Sequence, residues 1–263
     1  MAFEQKILNT LKKKFPEDLR SKEELVDYWR KNCRDDWAFG CGQLWDLGIL
    51  RLVQNDMEGA KEIFFEGTKL ALINNKIREN FPSLKKIQIE TPLSAYLGGN
   101  IEMARPFAQY ILSLVGNLDP TKDSKRAFWA WRWTLLALLL SDENRIKLYS
   151  RYVEDICDGF VFESNVLPSN INQDIINYAY STCGIQMING ILGNNPELIS
   201  ENINSYSQVL TKALKRNDSS SALADLELII IYDVAIGRGI DPKVDTPFIP
   251  MGIIKNGYWN TRA

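Results

Sequence analysis

Residues 127–140, AFWAWRWTLLALLL, decide the fold class of this chain. Their large apolar side chains occupy opposite sides of a helix, so the segment is apolar nearly all round. Only Arg132 and Thr134 interrupt the apolar run. The run is too short to span a bilayer, since a spanning helix needs about 20 apolar residues. The stretch therefore predicts a core helix with neighbours packed on both faces.

The composition is that of a globular protein. The 263 residues are 45% hydrophobic and 24% charged, and the net charge is −2. We expect a single all-helical domain over residues 1–263. The small negative charge argues against a nucleic-acid binder that relies on bulk positive charge. No apolar core of a secretory signal and no membrane span is found, so we expect a cytoplasmic protein without a membrane partner.

The chain has no histidine and four dispersed cysteines, Cys33, Cys41, Cys157 and Cys183. The commonest zinc ligand and general base is therefore missing, and triads built on histidine are impossible. No Cys-x-x-Cys pair occurs, so buried free thiols are favoured over a redox pair at Cys33 and Cys41. We predict no metal, no cofactor and no catalytic residue.

Helical segments alternate with polar turns along the chain. The turns contain Asn, Asp, Gly or Ser, which end one helix and cap the next. They lie roughly 42 to 53 residues apart, which is near the period of two-helix repeats. The pattern predicts stacked antiparallel helical hairpins, either α-solenoid-like or as an orthogonal bundle. The turn residues are Asn55–Asp56, Gly98–Asn100, Ser141–Asp142 and Gly193–Asn195.

Prolines set several expected helix boundaries. A first helix over 3–14 should end at Pro16, and a second should begin at Ser21 with a capping box to Glu24. Pro106 should bend its helix or delay its start. Three prolines within 242–250 exclude a helix there, so an apolar, non-helical strap should follow the last helix and pack back onto the bundle.

Three other features suggest sites only weakly. Asp35 and Asp36 resemble the paired carboxylates of a metal-dependent lyase, but no second carboxylate cluster accompanies them, which favours an acidic helix start. The glycine pairs Gly40/Gly42 and Gly98/Gly99 are not preceded by the strand that a phosphate-binding loop requires. They are therefore better explained as glycines of turns or of close helix packing. Core packing is likewise favoured over a ligand pocket for three tryptophans. They are Trp129, Trp131 and Trp133.

The last helix, over 221–237, and the strap are rich in acidic residues. Six acidic and two basic residues lie between Asp218 and Asp245. Such an excess could attract a basic protein partner, although a solvated face with turn-forming aspartates is the plainer interpretation. The candidate partner-binding residues are Asp225, Glu227, Asp233, Asp241 and Asp245.

An apolar helix that ends at an Arg-Gly pair and a Phe-Ile-Pro tail lie within residues 223–254, LADLELIIIYDVAIGRGIDPKVDTPFIPMGII. This pattern resembles the C-terminus of the immunity protein 49 family of bacterial polymorphic-toxin systems. Residues 96–112, YLGGNIEMARPFAQYIL, resemble helix-turn-helix units of the same family. The resemblance implies a cytosolic all-helical antidote that binds a cognate toxin without catalysis.

Two other functions remain open at the level of the sequence. A tetratricopeptide-like scaffold would hold a peptide or protein partner in a concave groove. An enzyme would need acid–base carboxylates, for which Asp35, Asp36 and Glu102 are the candidates. The toxin-neutralising function is our first hypothesis and the scaffold the alternative.

Overall fold

The computed structural model describes residues 2–33, 37–75, 85–115, 124–158, 173–214 and 219–259. These residues form ten α-helices and a short 3-10 helix over Ser220–Leu223, and none of them lies in a strand. The α-helices are α1 (Ala2–Asn32), α2 (Trp37–Val53), α3 (Met57–Asn75), α4 (Lys85–Leu114), α5 (Ser124–Leu139), α6 (Glu143–Cys157), α7 (Gln173–Leu192), α8 (Pro196–Ala213), α9 (Leu226–Gly237) and α10 (Met251–Asn256).

The helices stack in chain order, as predicted. α2 with α3, α5 with α6, and α7 with α8 form hairpins. α3 also packs on α4 and α5 on α7, which links the hairpins into one row. α9 leaves this order and contacts both α4 and α7. The all-α prediction of stacked helical hairpins is confirmed.

The four predicted turns coincide with unusual backbone conformations. Among the described residues, the left-handed region is occupied outside glycine at one position in each turn. These positions are Asn55 (φ 63°), Asn100 (φ 59°), Ser141 (φ 55°) and Asn194 (φ 51°). The left-handed residue reverses the chain, and in three of the turns the residue after it caps the next helix, which begins one residue later.

Three of these turns share one capping arrangement. The residue after the left-handed position accepts a hydrogen bond from the backbone N–H three residues later, which satisfies a free helix-end donor. The acceptors are Asp56 (to Gly59 N, 3.0 Å), Asp142 (to Arg145 N, 3.1 Å) and Asn195 (to Leu198 N, 3.0 Å). The hairpins therefore repeat in local structure as well as in spacing.

The predicted end of the first helix at Pro16 is wrong. α1 continues through Pro16, and Ser21 lies within it instead of capping a second helix. An interior proline removes one backbone hydrogen bond at a cost of about 3 kcal/mol. The same helix buries Leu19, Val26 and Trp29 against α2. That packing outweighs the local cost of the proline.

The break in α4 lies at the predicted turn and not at Pro106. Gly99 (φ −162°, ψ 25°) and Asn100 (φ 59°, ψ −161°) leave helical geometry, while Pro92 and Pro106 stay inside helical segments. The Asn100 side chain accepts from the Glu102 backbone N–H at 2.9 Å, so a new helical segment begins there. The expected bend therefore exists but has a different cause.

The C-terminal strap is confirmed for residues 238–250, which form no helix. Phe248 and Ile249 are buried, so this segment packs back onto the bundle as expected. The prediction missed α10, whose first residue directly follows Pro250. A proline is well tolerated at a helix start because its missing N–H would have no partner there.

The main core contains α5 and α9. Trp131 and the side chains Leu228 to Ile231 are fully buried, which confirms a core helix at 127–140. Trp129 and Trp133 pack against this core but are only partly buried. In the part of the chain that is described, no helix combines the length and apolar content needed to cross a bilayer.

Candidate functional site

The five candidate carboxylates do not share one exposed surface, which corrects the predicted acidic patch. Asp233 is fully buried and Glu227 is 7% exposed, whereas Asp225 is half-buried. Only Asp241 and Asp245 are exposed. The two acidic residues of α9, Glu227 and Asp233, lie among apolar residues and are buried with them in the bundle.

Asp233 is the acceptor for three donors from distant parts of the chain. Its carboxylate accepts from the Tyr96 hydroxyl at 2.6 Å and from the backbone N–H groups of Tyr258 and Trp259 at 2.9 and 3.0 Å. A buried carboxylate is stable only with such partners. Asp233 therefore fastens α4 and the C-terminal residues to α9.

The C-terminal residues hold α4 by two further hydrogen bonds. The Tyr258 hydroxyl donates to the Leu97 carbonyl at 2.9 Å, and the Trp259 indole N–H donates to the Tyr96 carbonyl at 2.7 Å. Burial, and then the Asp233 charge, raise the pKa of the Tyr96 hydroxyl well above its ordinary value, so this hydroxyl stays protonated as a donor. This network is a structural clasp, which explains why Asp233 is charged within an apolar helix.

Glu227 and Asp225 belong to a cavity of about 360 Å³ between α2, α4, α5 and the start of α9. Glu227 forms an ion pair with Arg132 of α5. The Arg132 guanidinium also lies over the Phe128 ring, 4.5 Å from its centroid. The cavity therefore contains a buried ion pair with an aromatic neighbour.

Asp225 places a second carboxyl group beside this ion pair. It caps α9 by accepting from the Leu228 backbone N–H at 2.9 Å, and it lies close enough to Glu227 for the two carboxyl groups to interact electrostatically. Burial, and then the charge of Glu227, raise the pKa of Asp225 well above its ordinary value. Two acidic groups thus face one guanidinium in this cavity.

The cavity has a partly exposed mouth and a buried floor. Gly42, Gln43 and Asp46 of α2 line the mouth and are partly exposed. Leu93 and Ser94 of α4 line the floor and are 1% and 0% exposed. The Ser94 hydroxyl has no hydrogen-bond partner among the described residues, which is uncommon for a buried polar atom.

The mouth is shaped by the close approach of α1 to α2. The Lys22 ammonium donates to Gln43 at 2.7 Å and to Asp46 at 3.0 Å, so the Asp46 charge is already balanced. Opposite this pair, a β-carbon added at Gly42 would have no described neighbour within 4 Å. The glycine therefore leaves the entrance open.

Sequence patterns did not identify Arg132, Ser94 and Gly42 as members of a site. A lone arginine within the apolar run 127–140 was the available signal, because a charged residue on a buried helix needs a buried partner. The partner could not be identified, since Glu227 is distant in the chain and α9 packs out of chain order.

The other proposed chemical groups form no centre in the described part of the chain. No group of three or more acidic or cysteine side chains suited to a metal ion occurs there. Asp35 and Asp36 lie outside the described residues. Glu102 is exposed and forms an ion pair with Arg105 at 3.7 Å.

The cysteines are free, and three of them are buried, as the sequence predicts. Burial raises the pKa of Cys41 to about 12, of Cys157 to about 11 and of Cys183 to about 12. Since the thiolate is the reactive form, these thiols are inert near neutral pH. Cys33 is half-buried and also free, so it forms no pair with Cys41.

Comparisons with protein-family models, curated proteins and solved structures find no match to this chain. The resemblance to the immunity protein 49 family therefore stays a prediction.

Proposed function

We propose that the protein is an immunity protein that binds and neutralises a cognate bacterial polymorphic toxin in the cytoplasm. Inhibition would follow from stoichiometric binding, without catalysis by this chain. The observation that carries the proposal is the direct contact between the two segments that resemble the immunity protein 49 family. The Tyr96 hydroxyl of the first segment donates to Asp233 of the second at 2.6 Å.

This contact matters because the two segments are far apart in the sequence. Segments 96–112 and 223–254 meet where α4 packs on α9. Tyr258 adds a second link across the same junction through the Leu97 carbonyl. The residues that carry the resemblance thus belong to one folded unit, as a shared family architecture requires.

The exposed part of the strap is the surface that we propose for toxin binding. Asp241 and Asp245 are exposed on it, beside a cavity of about 300 Å³ that Asn204 and Val244 help to line. Exposed carboxylates next to a concave surface can attract a basic partner and increase its association rate. The buried carboxylates Glu227 and Asp233 are excluded from direct contact with a toxin.

The proposal is tested by co-expression with the product of the adjacent gene. We expect that product to arrest growth when expressed alone and growth to recover when this protein is present. The Asp241→Lys/Asp245→Lys double variant should fold normally, because both residues are exposed, and should protect less. Glu154→Lys/Asp155→Lys, at two exposed positions of α6 outside this surface, is the matched control for the charge change and should protect like the wild type. A toxic product against which the wild type gives neither a complex nor protection would contradict the proposal.

A peptide-binding helical scaffold is the second candidate. The three capped turns favour it, because repeats of one hairpin structure are typical of helical-repeat proteins with concave binding surfaces. Binding to a peptide array without protection from any adjacent toxin would support the scaffold. Protection by a stoichiometric complex would support the immunity function instead.

A further inference from the structure

The cavity that contains Arg132, Asp225 and Glu227 has the features of a ligand site. Its volume of about 360 Å³ lies in the range of small-molecule pockets, about 300–1,000 Å³. Its walls combine apolar side chains, including Ile49 and Leu93, with a few polar groups. This composition is typical of sites that bind the apolar part of a ligand and orient its polar end.

The charges in the cavity determine which polar group of a ligand can bind there. Glu227 is paired with Arg132, and Asp225 is a further acidic group beside Glu227. When both carboxyl groups are ionised, one guanidinium leaves one negative charge without a balancing cation. Lys22 does not supply it, since its ammonium is bound to Gln43 and Asp46 at the mouth.

Burial and the neighbouring carboxylate raise the pKa of Asp225, and the charge of Arg132, which is paired with Glu227, only partly opposes them. A ligand cation would relieve this repulsion. An anion would meet both carboxyl groups, and binding would be unfavourable.

The Ser94 hydroxyl is the independent observation that points to a ligand. This side chain is fully buried on the cavity floor, and its oxygen has no described hydrogen-bond partner. An ammonium group has three N–H donors and needs three acceptors. Asp225, Glu227 and Ser94 provide three oxygen acceptors on the wall and floor of one cavity.

We propose that this cavity binds a primary alkylammonium group, with the carbon chain against Ile49 and Leu93 and the ammonium facing Asp225, Glu227 and Ser94. The ammonium belongs either to a free amine or to a lysine side chain inserted by a protein partner. The proposal does not depend on the toxin-neutralising function, because it concerns chemistry that the folded chain can be tested for alone.

The test is calorimetric titration of the purified full chain with n-pentylammonium chloride, with n-pentanol as the neutral ligand of the same length. We expect the wild type to bind the ammonium and to bind pentanol more weakly by about tenfold or more. Equal affinity for the two ligands, or no binding of either, would overturn the proposal.

Two variants that act by different mechanisms test whether the ammonium binds in this cavity. Asp225→Asn keeps a capping oxygen for α9 but cannot ionise when the ammonium binds, and should weaken binding of the ammonium by about tenfold. Gly42→Phe should close the mouth and abolish binding. Thermal unfolding of each variant checks that it is folded. If folded Asp225→Asn and Gly42→Phe both bind like the wild type, the ammonium lies elsewhere and the proposal fails.

A third ligand identifies the source of the ammonium. Nα-acetyl-lysine amide carries the same ammonium on a peptide backbone. Binding of this compound together with pentylammonium assigns the site to a lysine side chain of a partner. Binding of pentylammonium alone assigns it to a free amine, since the backbone would then not fit at the mouth.

Discussion

Asp233 and Glu227 are acidic residues on a helix whose other side chains are mostly buried and apolar, and each is held by groups from distant parts of the chain. Asp233 accepts from Tyr96, Tyr258 and Trp259, and Glu227 pairs with Arg132. A buried charge needs such partners, so each residue fixes the packing of several elements at one point. At the scale of the residue, these polar contacts decide how the apolar helices are arranged.

Asp233→Ala should destabilise the protein strongly. The change leaves the Tyr96 hydroxyl and two backbone N–H groups without their acceptor, and loss of a buried charged partner costs about 3–5 kcal/mol. We expect the free energy of unfolding, measured by denaturant titration, to fall by this amount. Asp241→Ala is the matched control, because this residue is exposed and should change stability by less than about 0.5 kcal/mol. Similar losses for the two variants would contradict the clasp.

Asp225→Asn should increase stability at neutral pH. The raised pKa means that the folded state keeps a proton that an unfolded aspartate releases above about pH 4. The stability that this proton contributes to the folded state is therefore complete below about pH 4. It is lost as the pH rises through the folded-state pKa of Asp225. The amide keeps the cap and loses no proton. Denaturant titrations at neutral and acid pH should show a gain that shrinks on acidification, and a pH-independent difference would contradict this account.

Trp131→Ala should cost about 3–5 kcal/mol of unfolding free energy, because a fully buried large aromatic side chain leaves a cavity. Its indole packs against Tyr206, with ring centroids 6.3 Å apart. Trp133 is partly buried beside Tyr149, so Trp133→Ala should cost less. Thermal and denaturant unfolding of the two variants should rank them in this order, and the reverse order would mean that the centre of the core is misassigned.

At the scale of the element, short-range chemistry predicted the turns but not every helix end. Asn55, Ser141 and Asn194 could be recognised because Asn and Ser next to a capping residue favour a chain reversal. The continuation of α1 through Pro16 could not, since it depends on packing against α2. The break in α4 lies at the turn predicted for Gly98–Asn100, whereas Pro106, where a bend or a late helix start was expected, stays inside a helical segment.

Gly98→Ala should weaken the contact between α3 and α4. A β-carbon at this position would lie 2.5 Å from the Phe65 backbone nitrogen, and a backbone cannot move aside as a flexible side chain can. We expect a loss of about 1–3 kcal/mol, as for other overpacked sites. Gly42→Ala is the matched control in an open position of α2, where it should stabilise the helix by about 0.5–1 kcal/mol. Equal effects on unfolding would contradict the close approach.

At the scale of the whole molecule, the apolar patterns were sufficient to predict an all-helical stack, whereas the candidate site was not predictable. The site depends on α9, which packs against α4 and α7 and brings Glu227 to Arg132. The five acidic residues suggested one continuous surface in the sequence, but only Asp241 and Asp245 are exposed in the structure. A long-range pair such as Ser94 and Asp225 has no local pattern, because the packing of the complete chain creates it.

The most direct test of the account is titration of the purified toxin candidate, the product of the adjacent gene, with the purified protein. Toxin activity and complex formation should be measured together. If the protein is a stoichiometric inhibitor without catalysis, toxin activity should fall in proportion to the added protein and reach zero at equimolar amounts. Size-exclusion chromatography should then show one complex. Complete inactivation by a small fraction of an equivalent would contradict the account by indicating turnover. A fully active toxin at molar excess of this protein would contradict it by excluding neutralisation.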